Sequence, residues 1–219
     1  ERLNQVVEYE PADLTVTAQA GVTLGELQRL LGERGQWLPL DPPHGAKRTL
    51  GGLIATGASG PHRHAFGTFR DRVIGLRIAQ ADGLVYLGGA KVVKNVAGYD
   101  IPKLMVGSLG TLGVITEATF KLLPLPRVWS TFALACPDLA TAGQLAGQVL
   151  TSALTPAALT ILDAGAVSQL LMRVDSVAPA ETSALLLARF GDIPQAVERQ
   201  LNEMLTLAKG ALPKGFRQQ

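Results

Sequence analysis

Residues 51–60 read GGLIATGASG, and this run is the most distinctive part of the sequence. Its residues are small or apolar, and only Thr56 and Ser59 carry polar side chains. Glycine lets a backbone approach a ligand closely and lets its N–H groups point at phosphate or carbonyl oxygens. The run therefore predicts buried backbone lying against a cofactor, and glycines that only make tight turns are the alternative interpretation.

Two nucleotide-binding motifs can be tested against the glycine spacing. A phosphate-binding P-loop needs a lysine directly after its last glycine; Gly52 and Gly57 have the required separation, but Ala58 follows. A dinucleotide fingerprint needs the spacing Gly-x-Gly-x-x-Gly after a strand, whereas the glycines of residues 107–113 are spaced three and three. A nicotinamide site on a Rossmann fold is therefore disfavoured.

The composition is that of a folded protein. The 219 residues are 47% hydrophobic and 17% charged, with a net charge of +2, so a disordered chain is not expected. Lysine and arginine are scattered without a basic run, which argues against nucleic-acid binding. The single cysteine, Cys136, fits a reducing compartment, and no apolar run reaches the length of a membrane span. We therefore expect a cytoplasmic protein.

Local patterns predict the secondary structure of the first half. Thr23 and Glu26 form a capping-box signature ahead of a leucine stripe, and Asp82-Gly83 is a favourable hairpin turn. Residues 39–70 are rich in glycine and proline and show no clear element. The predicted elements are a strand at 14–20, a helix after Thr23, a hairpin of 74–80 and 84–87, a short helix at 103–105 and a strand at 114–123.

The pattern changes after Pro124 and Pro126, so we place a domain boundary near residue 127. Beyond it, strands and helices alternate, which favours a small α+β or α/β unit. The predicted strands are 131–135, 159–162 and 185–189, and the predicted helices are 139–150, 166–172 and 196–208.

Five motifs follow one another along the sequence: LTVTAQAGVTLGEL at 14–27, PP at 42–43 with TLGGLIATGASG at 49–60, FGTFRD at 66–71 with VIGL at 73–76, KNVAGYD at 94–100, and GSLGTLGVITE at 107–117. They occur in the order found in the second half of the flavin domain of the vanillyl-alcohol-oxidase superfamily. Together they make the sequence resemble that superfamily over about residues 8–126. The segments PPH at 42–44, GP at 60–61 and KNVAGYD at 94–100 resemble the smaller flavin-type subunit of bacterial glycolate oxidase most.

The resemblance implies an α+β fold. It consists of a PCMH-type FAD-binding domain at 1–126, lacking its N-terminal half, and a partial α+β cap domain at 127–219. It also implies a subunit of a flavin-dependent dehydrogenase or oxidase of small 2-hydroxy acids of the glycolate type. In such an enzyme FAD takes a hydride from the substrate carbon, while the protein supplies position and excludes water. The implied partners are a larger flavin subunit and an iron–sulfur subunit, and the complex leaves open an attachment to the inner face of the membrane.

Matching the motifs position by position gives the expected flavin contacts. The glycines would provide close backbone approach, Thr56 and Ser59 would offer hydrogen bonds to ring or phosphate oxygens, and Val114 and Ile115 would offer backbone groups at a strand start. The expected cofactor-binding residues are Pro43, Thr49, Gly51, Gly52, Ala55, Thr56, Gly57, Ser59, Gly60, Gly67, Val114 and Ile115.

Three departures from the family pattern keep other interpretations open. The N-terminal Gly-rich pyrophosphate loop, whose N–H groups normally meet the diphosphate, is not in the sequence. The larger catalytic relatives carry a paired-histidine motif towards the C-terminus, whereas no histidine follows His64 in this sequence. Leu109 also replaces the acidic residue that is usual within the Gly-Ser-x-Gly turn. A cofactor-free assembly subunit that keeps the fold is therefore the alternative function. A third interpretation is a piece of a longer chain, whose exposed sheet edges would favour self-association.

Several polar groups are weighed against purely structural roles. For His44, His62 and His64 the functional alternatives are a metal site or a histidine that tethers flavin. We expect solvated or capping loop histidines, because no carboxylate or cysteine stands nearby at metal-ligand spacing. The side chains of Lys94, Asn95, Tyr99 and Asp100 would suit a substrate contact, and residues 70–72 would suit the steering of an anionic substrate. A turn capped by Asp100 and a solvated ion-pair cluster are the simpler interpretations. No residue is assigned a catalytic role.

Overall fold

The computed structural model describes residues 3–89, 100–171 and 183–211. The chain divides into two compact units, Glu1–Leu125 and Pro126–Gln219, here called the N-terminal and the C-terminal unit. Helices and antiparallel sheets mix in both units, so the predicted α+β class is confirmed. The strands and helices of the N-terminal unit are β1 (Val6–Glu10), β2 (Thr15–Gln19), α1 (Leu24–Gly32), β3 (Gln36–Trp37), α2 (Leu50–Thr56), α3 (Arg63–Phe66), α4 (Phe69–Arg72), β4 (Val73–Ala79), β5 (Val85–Gly89), α5 (Ile101–Met105), β6 (Val114–Lys121) and β7 (Leu123–Pro124).

Five antiparallel strands form the main sheet of the N-terminal unit, in the order β1-β2-β6-β4-β5. Strand β2 pairs with β6 so that Val16 lies opposite Phe120, and both side chains are buried in the core. The alternate positions face the other side, where the hydroxyl groups of Thr17 and Thr119 hydrogen-bond to each other at 3.0 Å. Side chains in these strands therefore alternate between the two faces of the sheet, as predicted, and the apolar face packs against the helices.

Helix α1 begins as the capping signature predicts. The Thr23 hydroxyl accepts from the Glu26 N–H at 3.2 Å, and the Glu26 carboxylate accepts from the Thr23 N–H at 2.9 Å. Leu24, Leu27 and Leu31 are buried, which shows that the leucine stripe faces the core. The predicted hairpin of β4 and β5, the short helix α5 and the strand β6 are also present.

Replacing Thr23 with alanine should lower the free energy of unfolding by about 1 kcal/mol, because the first turn of α1 loses its side-chain acceptor. Urea unfolding followed by circular dichroism measures the change. Thr206→Ala is the matched control, since Thr206 lies exposed in the middle of a helix and donates only to the Asn202 carbonyl. A Thr23→Ala variant as stable as that control would contradict the capping role.

Residues 39–70 do contain helices, so the expectation of no clear element there is wrong. Helix α2 forms because Thr49 caps its first turn and because Leu50, Leu53 and Ile54 all face the core with no exposed surface. Two adjacent glycines disfavour a helix in isolation. Burial of these three side chains outweighs that local preference. Residues 51–56 of the run at 51–60 therefore belong to a packed helix.

The C-terminal unit is a three-stranded antiparallel sheet with helices packed on it. The sheet order is β8-β10-β9, and Ala184, Leu186, Ala188 and Phe190 alternate into one core with α6 and α8. Cys136 is buried in the same core, and burial raises the pKa of its thiol. The strands and helices are β8 (Val128–Cys136), α6 (Leu139–Thr151), β9 (Ala158–Asp163), α7 (Ala164–Leu171), β10 (Ala184–Asp192) and α8 (Pro194–Ala211).

Candidate functional site

A cavity of about 600 Å³ opens in the N-terminal unit, where β2 ends, β6 begins and α2 starts. Its volume lies within the range of small-molecule and cofactor sites. The described residues that line it have apolar or hydroxyl side chains or no side chain, and none of them is ionisable. They are Leu3, Ala20, Gly21, Thr49, Gly51, Gly52, Ala55, Gly110, Gly113, Val114 and Ile115.

Backbone hydrogen bonds fix α2 at this edge of the sheet. The Leu50 N–H donates to the Val22 carbonyl and the Gly51 N–H donates to the Ala20 carbonyl, both at 2.9 Å. A Cβ on Gly51 would lie 2.8 Å from the Cβ of Ala20, so only glycine permits this approach of helix and strand. The first turn of α2 is therefore held as one wall of the cavity.

Gly52 has a different environment from Gly51. It is exposed, and a Cβ placed on it would meet only the Thr49 hydroxyl, at 3.1 Å. Gly110 has φ +78°, and a Cβ there would meet nothing within 4 Å. Packing within the described protein thus does not require a bare backbone at Gly52, although glycine in a helix interior lowers stability. The space that a side chain would fill on this wall is open to a ligand. Such an open space beside bare backbone is compatible with a flavin cofactor.

The segment 107–110 closes the neighbouring wall by docking on the end of α2. The Gly107 N–H donates to the Ile54 carbonyl at 3.0 Å, and the Leu109 N–H donates to the Ala55 carbonyl at 2.8 Å. These bonds reach carbonyls of the last turn of α2, where helix carbonyls lack partners further along the helix; the Ile54 carbonyl also accepts from the Gly57 N–H at 3.1 Å. Leu109 itself adopts φ 53° with its side chain 72% exposed.

The left-handed backbone of Leu109 predicts a stabilising substitution. This conformation costs a residue with a Cβ roughly 1–2 kcal/mol, and asparagine tolerates it better than leucine. Leu109→Asn should therefore raise the free energy of unfolding by about 0.5–1 kcal/mol, which a urea titration can measure. Leu104→Asn is the control, because Leu104 is 60% exposed in the regular helix α5. If both substitutions changed the free energy of unfolding equally, the backbone strain at Leu109 would be contradicted.

The structure brings together six of the residues predicted from the sequence. Thr49, Gly51, Gly52 and Ala55 come from α2 and its cap, while Val114 and Ile115 come from the start of β6. The other six do not line this cavity, and their contact with flavin stays a prediction. They are Pro43, Thr56, Gly57, Ser59, Gly60 and Gly67.

Four of these six have structural roles in the fold, and one of them is Gly67, which ends α3 with φ 75°. The Thr56 hydroxyl donates to the Gly52 carbonyl at 2.8 Å, so it completes a bond inside α2. Gly57 ends that helix with φ 63°, which favours glycine. A Cβ on Gly60 would overlap the backbone carbonyl of Asp41. Sequence matching alone does not separate such structural positions from ligand contacts.

Sequence reasoning missed five residues of the cavity wall. Ala20 and Gly21 directly follow β2, which pairs with β6, and Gly113 directly precedes β6. Antiparallel pairing brings the end of one strand to the start of its neighbour, so this pairing is the signal that would have indicated them. The missed residues are Leu3, Ala20, Gly21, Gly110 and Gly113.

A second cavity, of about 520 Å³, adjoins the first. It lies between residues 79–82 and residues 110–114. Gly110, Gly113 and Val114 line both cavities. The segment leading into β6 therefore borders two open spaces.

His62 is buried, which corrects the expectation of a solvated residue; it stands at the N-cap position of α3, although its side chain makes no capping hydrogen bond. Its side chain is buried and makes edge-to-face contacts with Trp37 and Phe66, at centroid distances of 5.6 and 5.8 Å. Its backbone N–H donates to the Asp41 carboxylate, and its Nδ1 lies 3.6 Å from Asp41 Oδ2. None of the three histidines lines the cofactor-sized cavity. Within residues 3–89, 100–171 and 183–211, no three His, Cys, Asp or Glu side chains form a group that could hold a metal ion.

The remaining polar candidates have structural roles where they can be described. Asp100 caps α5, and its hydrogen bond with the Lys103 side chain lowers the pKa of its carboxyl group. Arg72 donates to the Phe66 carbonyl at 2.9 Å, and burial lowers the pKa of its guanidinium. Asp71 completes a capping box with Thr68, so the segment 70–72 is not the solvated ion-pair cluster expected. Residues 94–99 lie outside the described residues.

No helix in the described part of the chain is long and apolar enough to cross a membrane.

Comparison with known proteins relates the chain to an FAD binding domain and to oxidases and dehydrogenases. Residues 1–87 match the family model described as an FAD binding domain. The chain is 47% identical over 123 residues to glycolate oxidase subunit GlcE of Escherichia coli (strain K12), covering 56% of this chain and 35% of that protein. It is 33% identical over 211 residues to glycolate oxidase subunit GlcD of Bacillus subtilis (strain 168), covering 94% and 44%. It is also 33% identical over 233 residues to D-lactate dehydrogenase of Archaeoglobus fulgidus, covering 97% and 52%.

The fold is shared with a solved structure of a longer chain. An alkyldihydroxyacetonephosphate synthase superposes with a TM-score of 0.78 at 23% identity, over 96% of this chain and 41% of that one. The chain spans between about a third and a half of the length of these curated relatives. The FAD binding domain match, the relatives and the shared fold agree, and the chain therefore belongs to the PCMH-type family of FAD-binding proteins.

Proposed function

We propose that this chain forms part of the FAD site of an oxidoreductase that acts on a small 2-hydroxy acid, with glycolate and lactate as the first candidates. The relatives named glycolate oxidase subunits and D-lactate dehydrogenase support the substrate class. The observation that carries the proposal is the cavity of about 600 Å³ with a bare wall at Gly52 and Gly110. An apolar cavity with exposed backbone suits a flat, largely apolar ring system.

Different residues of the cavity would make different contacts with FAD. Gly52 and Gly110 would allow the backbone to approach the cofactor, and Thr49 would offer a hydroxyl group at the rim. Val114 and Ile115 would place strand backbone against its opposite side. The chemistry that bound FAD supplies is acceptance of the hydride from the hydroxyl-bearing carbon of the substrate.

The substrate also releases its hydroxyl proton, and the cavity does not provide an acceptor for it. The described lining residues carry no ionisable side chain. General base catalysis needs a titratable group within hydrogen-bond reach of that proton. We therefore expect the base to come from residues outside this set.

The relatives named GlcE and GlcD are subunits of glycolate oxidase, which supports a role within a multi-subunit complex. The proposed partners are a larger flavin subunit and an iron–sulfur subunit. The C-terminal unit is proposed to be the first part of the cap domain of the family. Its sheet and helices form their own core, as a covering domain requires.

The proposed function is tested by visible absorbance spectroscopy. The purified 219-residue chain is mixed with excess FAD, desalted and measured, with riboflavin as a ligand control that lacks the adenylate. Flavin bands that remain after desalting with FAD would support the proposal. A colourless protein under all these conditions would contradict FAD binding by this chain and favour the cofactor-free assembly subunit.

A further inference from the structure

The sheet of the C-terminal unit has a second face, opposite its core. Strand pairing places Leu187 opposite Ala133 and Thr160, and Arg189 opposite Thr131 and Ala158. Because side chains alternate along a strand, these residues lie on the side away from Leu186 and Ala188. Arg189, Thr131 and Ala133 are exposed on this face. Among the described residues that share it, Arg189 carries the single charge. The members of this face are Trp129, Thr131, Ala133, Ala135, Ala158, Thr160, Leu162, Leu185, Leu187, Arg189 and Gly191.

The guanidinium of Arg189 is held in place by an aromatic ring. Its Cζ lies 4.6 Å from the centre of the Trp129 ring, within the distance of a cation–π contact. Gly191 pairs with Trp129 across the strands, and a Cβ on Gly191 would overlap the indole ring. Glycine at 191 therefore lets the indole lie against β10 and support the guanidinium. A side chain ordered in this way loses little further freedom when it binds a ligand.

The hydrogen-bond donors of Arg189 have no carboxylate partner within the described residues. The arginines Arg29, Arg77 and Arg199 each have a glutamate within 4 Å. Among the described residues no carboxylate lies within 4 Å of Arg189, because the other side chains on its face of the sheet are uncharged. The hydroxyl of Thr131, directly opposite on β8, offers a second donor beside it.

We propose that Arg189 binds the carboxylate of a small organic acid, with Trp129 as its support and Thr131 as a second donor. A planar guanidinium pairs with the two oxygens of a carboxylate through parallel hydrogen bonds. The apolar residues around it suit the short carbon chain of such an acid. If the acid is the 2-hydroxy acid of the oxidoreductase, that identification rests on the proposed function; the carboxylate site itself rests on the C-terminal unit alone.

Tryptophan fluorescence tests this site directly. The sequence has two tryptophans, and Trp37 lies buried in the other unit, so a Trp37→Phe variant reports on Trp129 alone. The flavin-free chain is titrated with glycolate, D-lactate, propionate and inorganic phosphate at constant ionic strength, with chloride as the reference anion. We expect a saturable change in emission with the three carboxylates.

Substitutions assign the response to Arg189. Arg189→Gln should abolish it, and Arg189→Lys or Thr131→Val should weaken apparent affinity, by about tenfold for the lysine variant. Arg199→Gln is the matched control, because Arg199 is exposed and paired with Glu203, and it should respond as the parent does. Circular dichroism establishes that each variant is folded.

Each outcome decides the proposal. Equal responses to propionate and glycolate would support a site that binds the carboxylate and does not distinguish acids with a 2-hydroxyl group from acids without one. A response that survives in Arg189→Gln, or that chloride or phosphate produces equally, would overturn it. Because no flavin is present, failure of FAD to bind leaves these outcomes unchanged, and the two proposals are tested separately.

Discussion

Gly52→Leu should abolish retention of FAD and yet leave the protein at least as stable as the parent. A leucine side chain there would extend into the cavity that Gly110 and Val114 line from the other side. Filling this space should weaken FAD binding by a factor on the order of 100, because the clash or the displacement of the cofactor costs several kcal/mol. Leucine also replaces glycine in a helix, which should raise the free energy of unfolding by roughly 0.5–1 kcal/mol.

Equilibrium dialysis with FAD and urea unfolding measure the two effects independently. Gly147→Leu is the matched control: Gly147 is exposed in α6, and a Cβ there would meet nothing within 4 Å. It should gain helix stability and bind FAD as the parent does. Gly51→Ala provides the contrast, because its Cβ would press on Ala20 and should lower stability by about 1–3 kcal/mol. A Gly52→Leu variant that still binds FAD at parental affinity would place the cofactor elsewhere.

Phe120→Ala should lower the free energy of unfolding of the N-terminal unit by about 3–5 kcal/mol. The ring of Phe120 is fully buried on β6 and lies 6.4 Å from the ring of Phe69 in an edge-to-face arrangement. Its neighbours on the adjacent strands are Val16 and Val73, so removal leaves a cavity in the centre of the sheet core. A domain has only about 5–15 kcal/mol of stability, and this loss is therefore a large share of it.

Each unit carries one tryptophan, which allows their unfolding to be followed separately. Trp37 reports on the N-terminal unit and Trp129 on the C-terminal unit. Urea unfolding of Phe120→Ala in Trp37→Phe and Trp129→Phe backgrounds should show a shifted midpoint only for the Trp37 signal. Phe190→Ala, which removes a fully buried ring from the other core, should show the reverse. Equal shifts of both signals in both variants would mean that the units unfold as one.

The elements with local signals could be predicted from the sequence. The capping box of Thr23 and Glu26 and the turn at Asp82-Gly83 act within a few residues, and the structure contains both. The alternation in β6 likewise reflects which side chains face the core. Helix α2 depends instead on contacts with sheet residues that are distant in the sequence. Its two glycines have low helix propensity, so local sequence rules do not predict this helix.

The candidate site was predictable to the extent that its residues belong to the glycine motifs. Gly52 and Val114 stand in two different motifs and meet in one cavity. Ala20 and Leu3 have no distinctive pattern, since their place in the wall follows from strand pairing and from the Gly21 N–H contact with the Leu3 carbonyl. Such residues become identifiable only once the order of the strands is known.

The bonds from Gly107 and Leu109 to the carbonyls of Ile54 and Ala55 join two segments that lie some fifty residues apart in the chain. Neither segment can separate from the other without breaking both bonds, so they should open as one cooperative unit. In hydrogen–deuterium exchange, the amides of Gly107 and Leu109 should therefore exchange at a common rate with those of α2. A ligand that contacts only α2 should slow exchange in both segments, which would make the loop amides a remote reporter of occupancy.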